Sequence, residues 1–492
     1  MRGSSPTRTR VVATVGPACR DPEGLRRLLQ SGVSVLRLNL SHGTLEDHLE
    51  IVRTIRGLER EEGRPVAIMA DLPGPKIRVD EASSLDLPRG AAVELVETPE
   101  SEGDDDAIRI RIDVPRVLGA VRLGHRVLLD DGNVRLLVVE VDGGESPRVR
   151  CNVTSGGVIR PRVGVNVPDS DPELPAVTAT DLVLARRMQE AEVDFLAVSF
   201  VRDGDDLRRL SEALSAGPDP PAIPRLVSKI ERPAALAAIE DVIDASDVVL
   251  VARGDLGVEL DIAEVPIAQK RIVAKAIERG CPVIVATQML QSMIDQPGPT
   301  RAEATDVANA VLDGADALML SGETAIGRHP ALAVEMLQRI AARTERWGEG
   351  KNDDPGSTPP LDHEDDPWLP AIVQGARRIA DRLPIRAMVA WAEDFDTARV
   401  LSRGRRGGPL LVLTDTLTAA RRMSLLHGVT PVAIGGRLGD DRERFLHEAG
   451  VRLVSEDLAD PGDTVLFVHG SGRRGDRPTD GLGVFTVPES RP

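Results

Sequence analysis

The chain opens with short apolar runs that alternate with longer segments of helical periodicity. Each run has the length and β-branched content of a parallel strand buried on both faces. Strands are predicted at 10–16, 35–40, 66–70, 193–200, 225–230, 248–252, 282–287 and 317–320. Helices are predicted at 22–30, 45–61, 205–214, 233–244, 263–279, 301–312 and 330–346. Strands that each precede a helix in this way predict an α/β fold, a (β/α)8 TIM barrel.

A different pattern interrupts the barrel after its third strand. Between residues 73 and 166, short alternating runs are separated by turn dipeptides such as Asp131-Gly132 and Gly143-Gly144. Strands are predicted there at 91–97, 107–114, 126–129, 134–141 and 148–154. We interpret 73–166 as an inserted all-β domain, a small β-barrel. Because it leaves from the carboxyl end of a barrel strand, where barrel active sites lie, it is placed as a lid.

The barrel is then discontinuous, with 1–72 and 167–347 as its two pieces. Residues 348–367 are rich in Asp, Pro and Gly, which is typical of a linker. Beyond them, strands predicted at 387–391, 410–413, 429–434 and 464–468 alternate with helices at 371–383, 396–403, 417–426 and 441–449. This pattern predicts a separate C-terminal α/β domain over 368–492, with a regulatory or oligomerisation role.

Composition and charge restrict the class of protein. The formal net charge of −17 argues against nucleic acid or an anionic membrane as the main partner. Cys19, Cys151 and Cys281 fit neither a disulfide framework nor a metal site, which favours a reducing cytoplasm. Residues 1–10 are polar and basic, so no secretory signal is expected, and no apolar run reaches membrane-spanning length.

Charged side chains follow two neighbouring predicted strands at the point where each strand ends. Lys229 and Glu231 close the run at 225–230, and Asp255 follows the run at 248–252. Two converging carboxylates suit a hard divalent cation such as Mg²⁺ or Mn²⁺, which leaves coordination sites for a substrate phosphate. A lysine beside them places a positive charge next to a phosphoryl group or an enolate. An ion-pair network that caps two strands is the alternative, and these residues alone do not separate the two.

Further polar residues fall at the same end of the predicted barrel. They are Arg37 and Asn39 from strand two, Asp71 after strand three, Arg78 at the entry to the lid, Ser199 at the end of strand four, Thr287 at the end of strand seven, and Ser321 after strand eight. The backbone N–H groups after Gly254 open a short helical turn that suits an anionic group, although a tight turn that needs glycine is the alternative.

The motifs at these strand ends resemble the pyruvate kinase family. They are Leu36-Arg37-Leu38-Asn39 through Gly43, Ser228–Glu231, Val251–Glu259, Ala286–Met293, Pro299–Ala304 and Leu320–Ala325. Together they cover the whole barrel. The C-terminal domain matches more loosely, through Thr397-Ala398-Arg399 and Gly428–Val432.

The resemblance implies transfer of a phosphoryl group from phosphoenolpyruvate to ADP, with catalytic residues Lys229, Arg37, Arg78, Thr287 and Ser321. It implies that Glu231 and Asp255 hold Mg²⁺ and that substrate contacts come from Arg37, Lys229, Ser199, Gly254, Asp255 and Thr287. Nucleotide contacts are implied for Asn39, His42, Arg78 and Arg162. A homotetramer is implied as well. A related barrel lyase acting on phosphoenolpyruvate or pyruvate and a catalytically silent paralogue are the alternatives.

The chain departs from the family at three places. Many members bind a monovalent cation, whose ligands would correspond to Asn39, Ser41, Asp71 and the carbonyl of Leu72. Lys76 replaces the usual glutamate of the strand-three motif, and its ammonium group would substitute for K⁺, so K⁺ is not expected to be required.

The other two departures concern the lid and the effector loop. The usual lid lysine is Val163, so a nucleotide contact is lost or shifted to Arg160 or Arg162. The loop that binds a sugar phosphate in many relatives reads Glu393-Asp394-Phe395-Asp396-Thr397, and its carboxylates would repel a phosphate. Against this expectation, the stretch 469–475 is basic and glycine-rich and would attract a phosphate. We predict that fructose bisphosphate does not bind tightly at this loop.

Overall fold

A computed structural model describes residues 7–97, 107–114, 116–143, 147–218, 220–348, 368–403, 408–435, 442–469 and 481–488. The predicted linker lies outside these ranges except for Gly348. Residues 470–475 of the basic stretch also lie outside them.

The first piece of the barrel begins near the amino terminus. It contains β1 (Arg10–Val15), α1 (Pro22–Gln30), β2 (Val35–Asn39), α2 (Leu45–Glu62) and β3 (Ala67–Asp71). Asp21 caps α1 through the amide of Gly24, and Thr44 begins α2 with a capping box to Asp47. These caps place both helices directly after their strands, as the sequence predicts.

The lid follows β3. It contains β4 (Leu85–Leu87), β5 (Ala92–Val96), β6 (Ile108–Arg111), α3 (Val117–Ala120), β7 (Arg126–Leu129), β8 (Val134–Asp142), β9 (Arg148–Ser155), β10 (Gly157–Ile159) and β11 (Val165–Asn166). Its strands form a six-stranded sheet in the order β11-β7-β8-β9-β5-β6 and a two-stranded sheet of β10 and β4. The described part of the inserted β domain consists of these two sheets and a short helix around one apolar core.

The second piece of the barrel supplies its other five strands. The chain continues through α4 (Ala179–Glu190), β12 (Phe195–Val198), α5 (Gly204–Ser215), β13 (Arg225–Ile230), α6 (Pro233–Ala237), α7 (Ile239–Asp244), β14 (Val248–Ala252), α8 (Arg253–Glu259) and α9 (Val265–Glu278). It ends with β15 (Val283–Ala286), a 3-10 helix (Gln291–Ile294), α10 (Arg301–Asp313), β16 (Ala317–Leu320), α11 (Gly322–Ala325) and α12 (Pro330–Gly348). The helix predicted at 233–244 is two helices, because α6 ends at Ala237 and α7 begins at Ile239, with Ala238 between them.

The eight strands close into a parallel barrel in the order β1-β16-β15-β14-β13-β12-β3-β2. This arrangement confirms the predicted TIM barrel. One apolar core lies between the strands and the surrounding helices, and a second lies inside the barrel and continues into the C-terminal domain. Every strand therefore delivers its last residues to one end of the barrel.

The C-terminal domain is an α/β unit, as predicted. It contains α13 (Trp368–Ala380), β17 (Ala387–Trp391), α14 (Phe395–Arg403), β18 (Leu410–Thr414), α15 (Leu417–Met423), β19 (Val429–Ala433), α16 (Arg442–Ser455), β20 (Thr464–His469) and β21 (Gly481–Thr486). The sheet order is β19-β18-β17-β20-β21, and β21 pairs antiparallel with β20. The sequence analysis does not predict this edge strand.

Ion pairs join the C-terminal domain to the amino-terminal end of the barrel, opposite the lid. Arg403 on α14 contacts the buried Asp316 at 3.0 Å, and Arg225 on β13 contacts Asp396 at 2.8 Å. Phe395 packs edge-on against Phe195 of the barrel. Among the residues that the structure describes, no helix is both long and apolar enough to cross a membrane.

Candidate active site

The predicted functional side chains meet at the carboxyl ends of the barrel strands. Lys229 ends β13 with its side chain 11% exposed, and the ammonium nitrogen lies 2.8 Å from Oε1 of Glu231. It donates to Ser199 Oγ at 2.7 Å and lies 3.3 Å from Oδ1 of Asp71. Residues from three strands therefore surround one ammonium group.

Burial and charge compete in setting the pKa values of this cluster. Burial alone would lower the pKa of Lys229, but Asp71, Glu231 and Asp255 outweigh it and raise that pKa above its usual value. Burial raises the pKa of Glu231 to about 7, Asp255 adds to the increase, and Lys229 opposes it. Lys229 is therefore charged at neutral pH, and the pKa of Glu231 lies above that of a solvated glutamate because of its burial.

Arg37 is held against Asp71. Its Nε donates to Asp71 Oδ2 at 2.7 Å, and its Nη1 donates to Thr14 Oγ1 at 3.0 Å. Burial would raise the pKa of Asp71, but Lys229 and Arg37 lower it below its ordinary value. Asp71 is therefore a shared carboxylate between two cations, and Thr14 is a supporting residue that the sequence analysis missed.

Glu231 and Asp255 are the residues that could hold a divalent cation. Glu231 is 1% exposed, and its second oxygen accepts the amide of Phe200 at 2.8 Å. Asp255 is half-buried in the first turn of α8. The described residues contain no group of three or more His, Cys, Asp or Glu side chains arranged for a metal. Two carboxylates fit Mg²⁺, which takes its other ligands from water and substrate phosphates.

The predicted carboxylate-binding groups are bonded to each other. The amide of Gly254 donates to Thr287 Oγ1 at 2.7 Å, and this hydroxyl donates to the carbonyl of Ala286 at 2.6 Å. A substrate carboxylate that used both groups, as the resemblance implies, would have to replace the first of these hydrogen bonds. The structure brings the two groups together but does not leave them free.

The backbone at the end of β15 is in an unusual conformation. Thr287 and Gln288 have φ angles of 70° and 55°. For residues other than glycine this left-handed region costs roughly 1–2 kcal/mol each. Such strain persists only where the surroundings impose it, and it concentrates at functional sites.

Arg253 is the main contact of this strained segment. Its Nη2 donates to the carbonyl of Thr287 at 2.7 Å, and its Nε donates to that of Ala286 at 3.3 Å. Its Nη1 pairs with Asp306 on α10 at 2.7 Å. No role was predicted for Arg253, although its position between a buried strand and Gly254-Asp255 favours such a contact.

Ser321 lies at the end of β16, beside a buried carboxylate. Glu323 is 1% exposed and accepts the amides of Ser321 at 2.8 Å and Leu290 at 3.0 Å. Glu323 therefore fixes the backbone after two adjacent strands. The Ser321 side chain is half-buried.

A cleft of about 740 Å³ separates the lid from the barrel. His42, Lys76, Arg78, Arg162 and Asp255 are among its lining residues. Arg78 Nη1 donates to the carbonyl of Arg162 at 2.9 Å. The cleft is lined by carboxylates as well as cations, among them Asp130, Asp131 and Glu259.

The candidate nucleotide residues differ in how far other contacts occupy them. Arg162 contacts Asp113 at 3.1 Å and Asp80 at 3.4 Å. Arg160 is 78% exposed and lies 3.5 Å from Asp130. Asn39 accepts the amide of Ser41 at 3.2 Å and so stabilises the loop after β2. Of the two lid arginines, the one with more exposed surface is Arg160.

Lys76 has an exposed side chain that lines the cleft. Burial lowers the pKa of His42, and Lys76 and Arg78 lower it further. Two of the groups that the resemblance relates to monovalent-cation binding have contacts here: Ser199 Oγ donates to the carbonyl of Leu72 at 2.7 Å, and Asp71 contacts Arg37 and Lys229. Ser41 lies nearby on the loop after β2.

These features define a (β/α)8 barrel protein with a buried carboxylate and lysine cluster at its strand ends, a cleft beside Asp255 beneath a β-lid, and an α/β domain at the opposite end. Two family models match the chain: the pyruvate kinase barrel domain over residues 6–334 and the pyruvate kinase alpha/beta domain over 370–485. The chain belongs to the pyruvate kinase family.

Individual relatives agree along nearly the whole chain. A pyruvate kinase of Corynebacterium efficiens is 39% identical over 466 residues, 94% of each chain. One from Mycobacterium tuberculosis is 40% identical over 467 residues, 94% of this chain and 95% of that protein. A crystal structure of a pyruvate kinase from Cryptosporidium parvum superposes with a TM-score of 0.90 at 30% identity, covering 98% of this chain and 96% of that one.

Proposed function

We propose that this chain is a pyruvate kinase that transfers the phosphoryl group of phosphoenolpyruvate to ADP, giving pyruvate and ATP. The observation that carries the proposal is the enclosed Lys229 ammonium group, which lies 2.8 Å from Glu231 at the strand ends of a barrel of this family. A positive charge fixed in a dry site stabilises the charge that develops on a moving phosphoryl group and on an enolate.

The reaction breaks the bond between phosphorus and the enol oxygen and forms a bond from phosphorus to an oxygen of ADP. Lys229 and Arg37 neutralise the phosphoryl group by charge-assisted contacts. The enolate left behind then receives a proton at its methylene carbon, and the Thr287 hydroxyl is the proposed donor. Ser321 follows β16, the strand that pairs with β15 before Thr287.

Glu231 and Asp255 would hold Mg²⁺ or Mn²⁺, which would supply positive charge beside the phosphoryl and enolate oxygens. Arg78, His42, Asn39 and Arg162 stand as the nucleotide-binding set, with Arg160 as the other candidate for the contact that Val163 cannot make. We favour Arg160 for this contact, because its guanidinium is more exposed and has fewer carboxylate partners than that of Arg162.

We also propose that activity does not require K⁺. The support is Lys76, whose side chain faces the cleft where the family's motif has glutamate, together with the existing contacts of Asp71 and Leu72. A cytoplasmic homotetramer without nucleic-acid or membrane partners completes the proposal. Its support is the family, the three reduced thiols and the net charge of −17.

A coupled assay tests the function. Purified protein is mixed with phosphoenolpyruvate, ADP and Mg²⁺ or Mn²⁺, and pyruvate is followed through lactate dehydrogenase and NADH. ADP-dependent pyruvate formation is expected. A silent paralogue would form none, and a lyase would act without ADP. Sedimentation of the same sample measures the oligomeric state.

A further inference from the structure

The guanidinium group of Arg253 links two peptide groups and a carboxylate. Its side chain is 10% exposed. Nη2 donates to the Thr287 carbonyl at 2.7 Å, Nε donates to the Ala286 carbonyl at 3.3 Å, and Nη1 contacts Asp306 at 2.7 Å. The planar fork of arginine suits such a set of donors, whereas lysine has a single flexible ammonium group.

These two carbonyls belong to the peptide planes on either side of the Thr287 Cα. Holding both planes fixes the φ and ψ angles of Thr287, which has φ 70°. Gln288, the next residue, has φ 55°, so the segment would relax toward the right-handed or extended regions without a restraint. Arg253 therefore keeps a conformation that Thr287 does not prefer by itself.

The main chain after Arg253 contacts the same threonine. Gly254 donates its amide to Thr287 Oγ1 at 2.7 Å, and the hydroxyl donates to the Ala286 carbonyl at 2.6 Å. That carbonyl also accepts from Arg253. The Ala286 carbonyl therefore joins the Thr287 hydroxyl to the Arg253 guanidinium, which Asp306 holds in turn.

We propose that Arg253, anchored by Asp306, is a positioning residue for the protonation step. It fixes the Thr287 oxygen; with substrate bound, the hydroxyl turns from the Ala286 carbonyl and gives its proton to the enolate carbon, so that a C–H bond forms, the O–H bond breaks, and the alkoxide left on Thr287 takes a proton from water. Arg253 itself does not touch the substrate. The inference rests on the proposed function, in which Thr287 is the proton donor.

The experiment separates protonation from phosphoryl transfer. Exchange of the pyruvate methyl hydrogens in D₂O with ATP and Mg²⁺, followed by NMR, reports proton transfer, while the coupled assay reports turnover and the KM for phosphoenolpyruvate. The variants are Arg253→Met, Arg253→Lys, Asp306→Asn, Thr287→Val and the double variant Arg253→Met/Thr287→Val. Arg279→Met is the matched control, because Arg279 forms exposed pairs with Glu240 and Asp244.

Arg253→Met is expected to slow methyl exchange by at least about tenfold, because a misplacement of 1 Å costs up to about 10²-fold. The KM for phosphoenolpyruvate is expected to change much less than the exchange rate. Arg253→Lys recovers part of the loss, Asp306→Asn causes a smaller loss, and Arg279→Met behaves like the wild type. The double variant is no slower than Thr287→Val, since both changes act through one hydroxyl.

Three results would overturn the proposal. One is multiplicative losses in the double variant. Another is a fall in kcat/KM for phosphoenolpyruvate in Arg253→Met that exceeds the fall in its methyl-exchange rate, or a fall of the same size in the Arg279→Met control. The third is full exchange in Thr287→Val while the wild type forms pyruvate with ADP, which rejects the proton role and leaves the kinase function standing. A wild type without ADP-dependent pyruvate formation rejects the function itself.

Discussion

The ammonium nitrogen of Lys229 lies 2.8 Å from Oε1 of Glu231, and both side chains are enclosed at the end of β13. Oε2 of Glu231 accepts the amide of Phe200 at 2.8 Å, so both carboxylate oxygens have donors. A divalent cation bound to Glu231 would compete with Lys229 for the charge of this carboxylate. The ammonium group would then interact more strongly with an incoming phosphate, so we expect cation binding to favour substrate binding.

Loss of this charge is the first test of the site. Lys229→Met is expected to lower kcat by about 10²–10³-fold or more, as the removal of a stabilising donor does in other enzymes. Turnover is measured in the coupled assay, and circular dichroism establishes that the variant is folded. Lys275→Met is the control, because Lys275 pairs with Glu240 and Glu278 on the surface. Unchanged turnover in Lys229→Met would contradict the assigned mechanism.

If Glu231 binds the divalent cation, as proposed, we expect that binding to depend on pH. Its pKa is raised from 4.5 to about 7 by burial, so the folded protein retains a proton that the unfolded chain releases between these values. Across that window the contribution of Glu231 to stability falls as pH rises. Cations compete with the same proton, so the Mn²⁺ affinity without substrate should fall about tenfold per unit below pH 7.

Electron paramagnetic resonance of free Mn²⁺ at pH 6, 7 and 8 measures this affinity. Glu231→Gln, which cannot ionise, should bind Mn²⁺ weakly at every pH. An affinity that is constant from pH 6 to pH 8 in the wild type would show that Glu231 is ionised throughout, contrary to the burial of its carboxylate.

Periodicity predicts the barrel because buried parallel strands and amphipathic helices have different repeats. It does not predict side-chain direction. Arg37 and Asp71 lie 34 positions apart and on different strands, and only the closed barrel shows that they pair. The edge strand β21 lies in a glycine-rich terminus whose pattern is weak, and the break between α6 and α7 follows no proline or glycine.

The sequence was sufficient to predict which strand ends contribute residues to the candidate site. Lys229, Glu231 and Asp71 were expected at one end of the barrel and lie together there. Arg253 and Asp306 were missed because an arginine after a strand and an aspartate on a helix are usually solvated. Their connection depends on the φ angles of Thr287 and Gln288, which no local pattern specifies.

Lys76 provides the test of monovalent-cation dependence. In buffer free of Na⁺ and NH₄⁺, the wild type is expected to be as active without K⁺ as with it. Lys76→Glu should become strongly dependent on K⁺, because a carboxylate attracts the cation that the ammonium group repels. Tetramethylammonium chloride at equal ionic strength controls for screening. A steep rise of wild-type activity with K⁺ would contradict the prediction.

The loop 393–397 takes part in the contact between domains. Asp396 contacts Arg225 of β13 at 2.8 Å, and Asp394 accepts the amide of Thr397 at 2.8 Å. Phe395 is buried against Phe195 and lies under the Arg225 guanidinium. A phosphate at this loop would face carboxylates and would have to break these contacts, so fructose bisphosphate should leave the phosphoenolpyruvate saturation curve unchanged.

The measurement compares saturation curves with and without fructose bisphosphate in wild type and in Asp396→Asn. The variant removes one carboxylate but keeps a polar side chain that can contact Arg225. If repulsion by carboxylates prevents fructose bisphosphate from binding, Asp396→Asn should show a shift of the saturation curve at a lower concentration of this ligand than the wild type does. A clear shift of the wild-type curve would mean that the sugar phosphate is held despite Asp394 and Asp396, and the electrostatic argument would then be wrong.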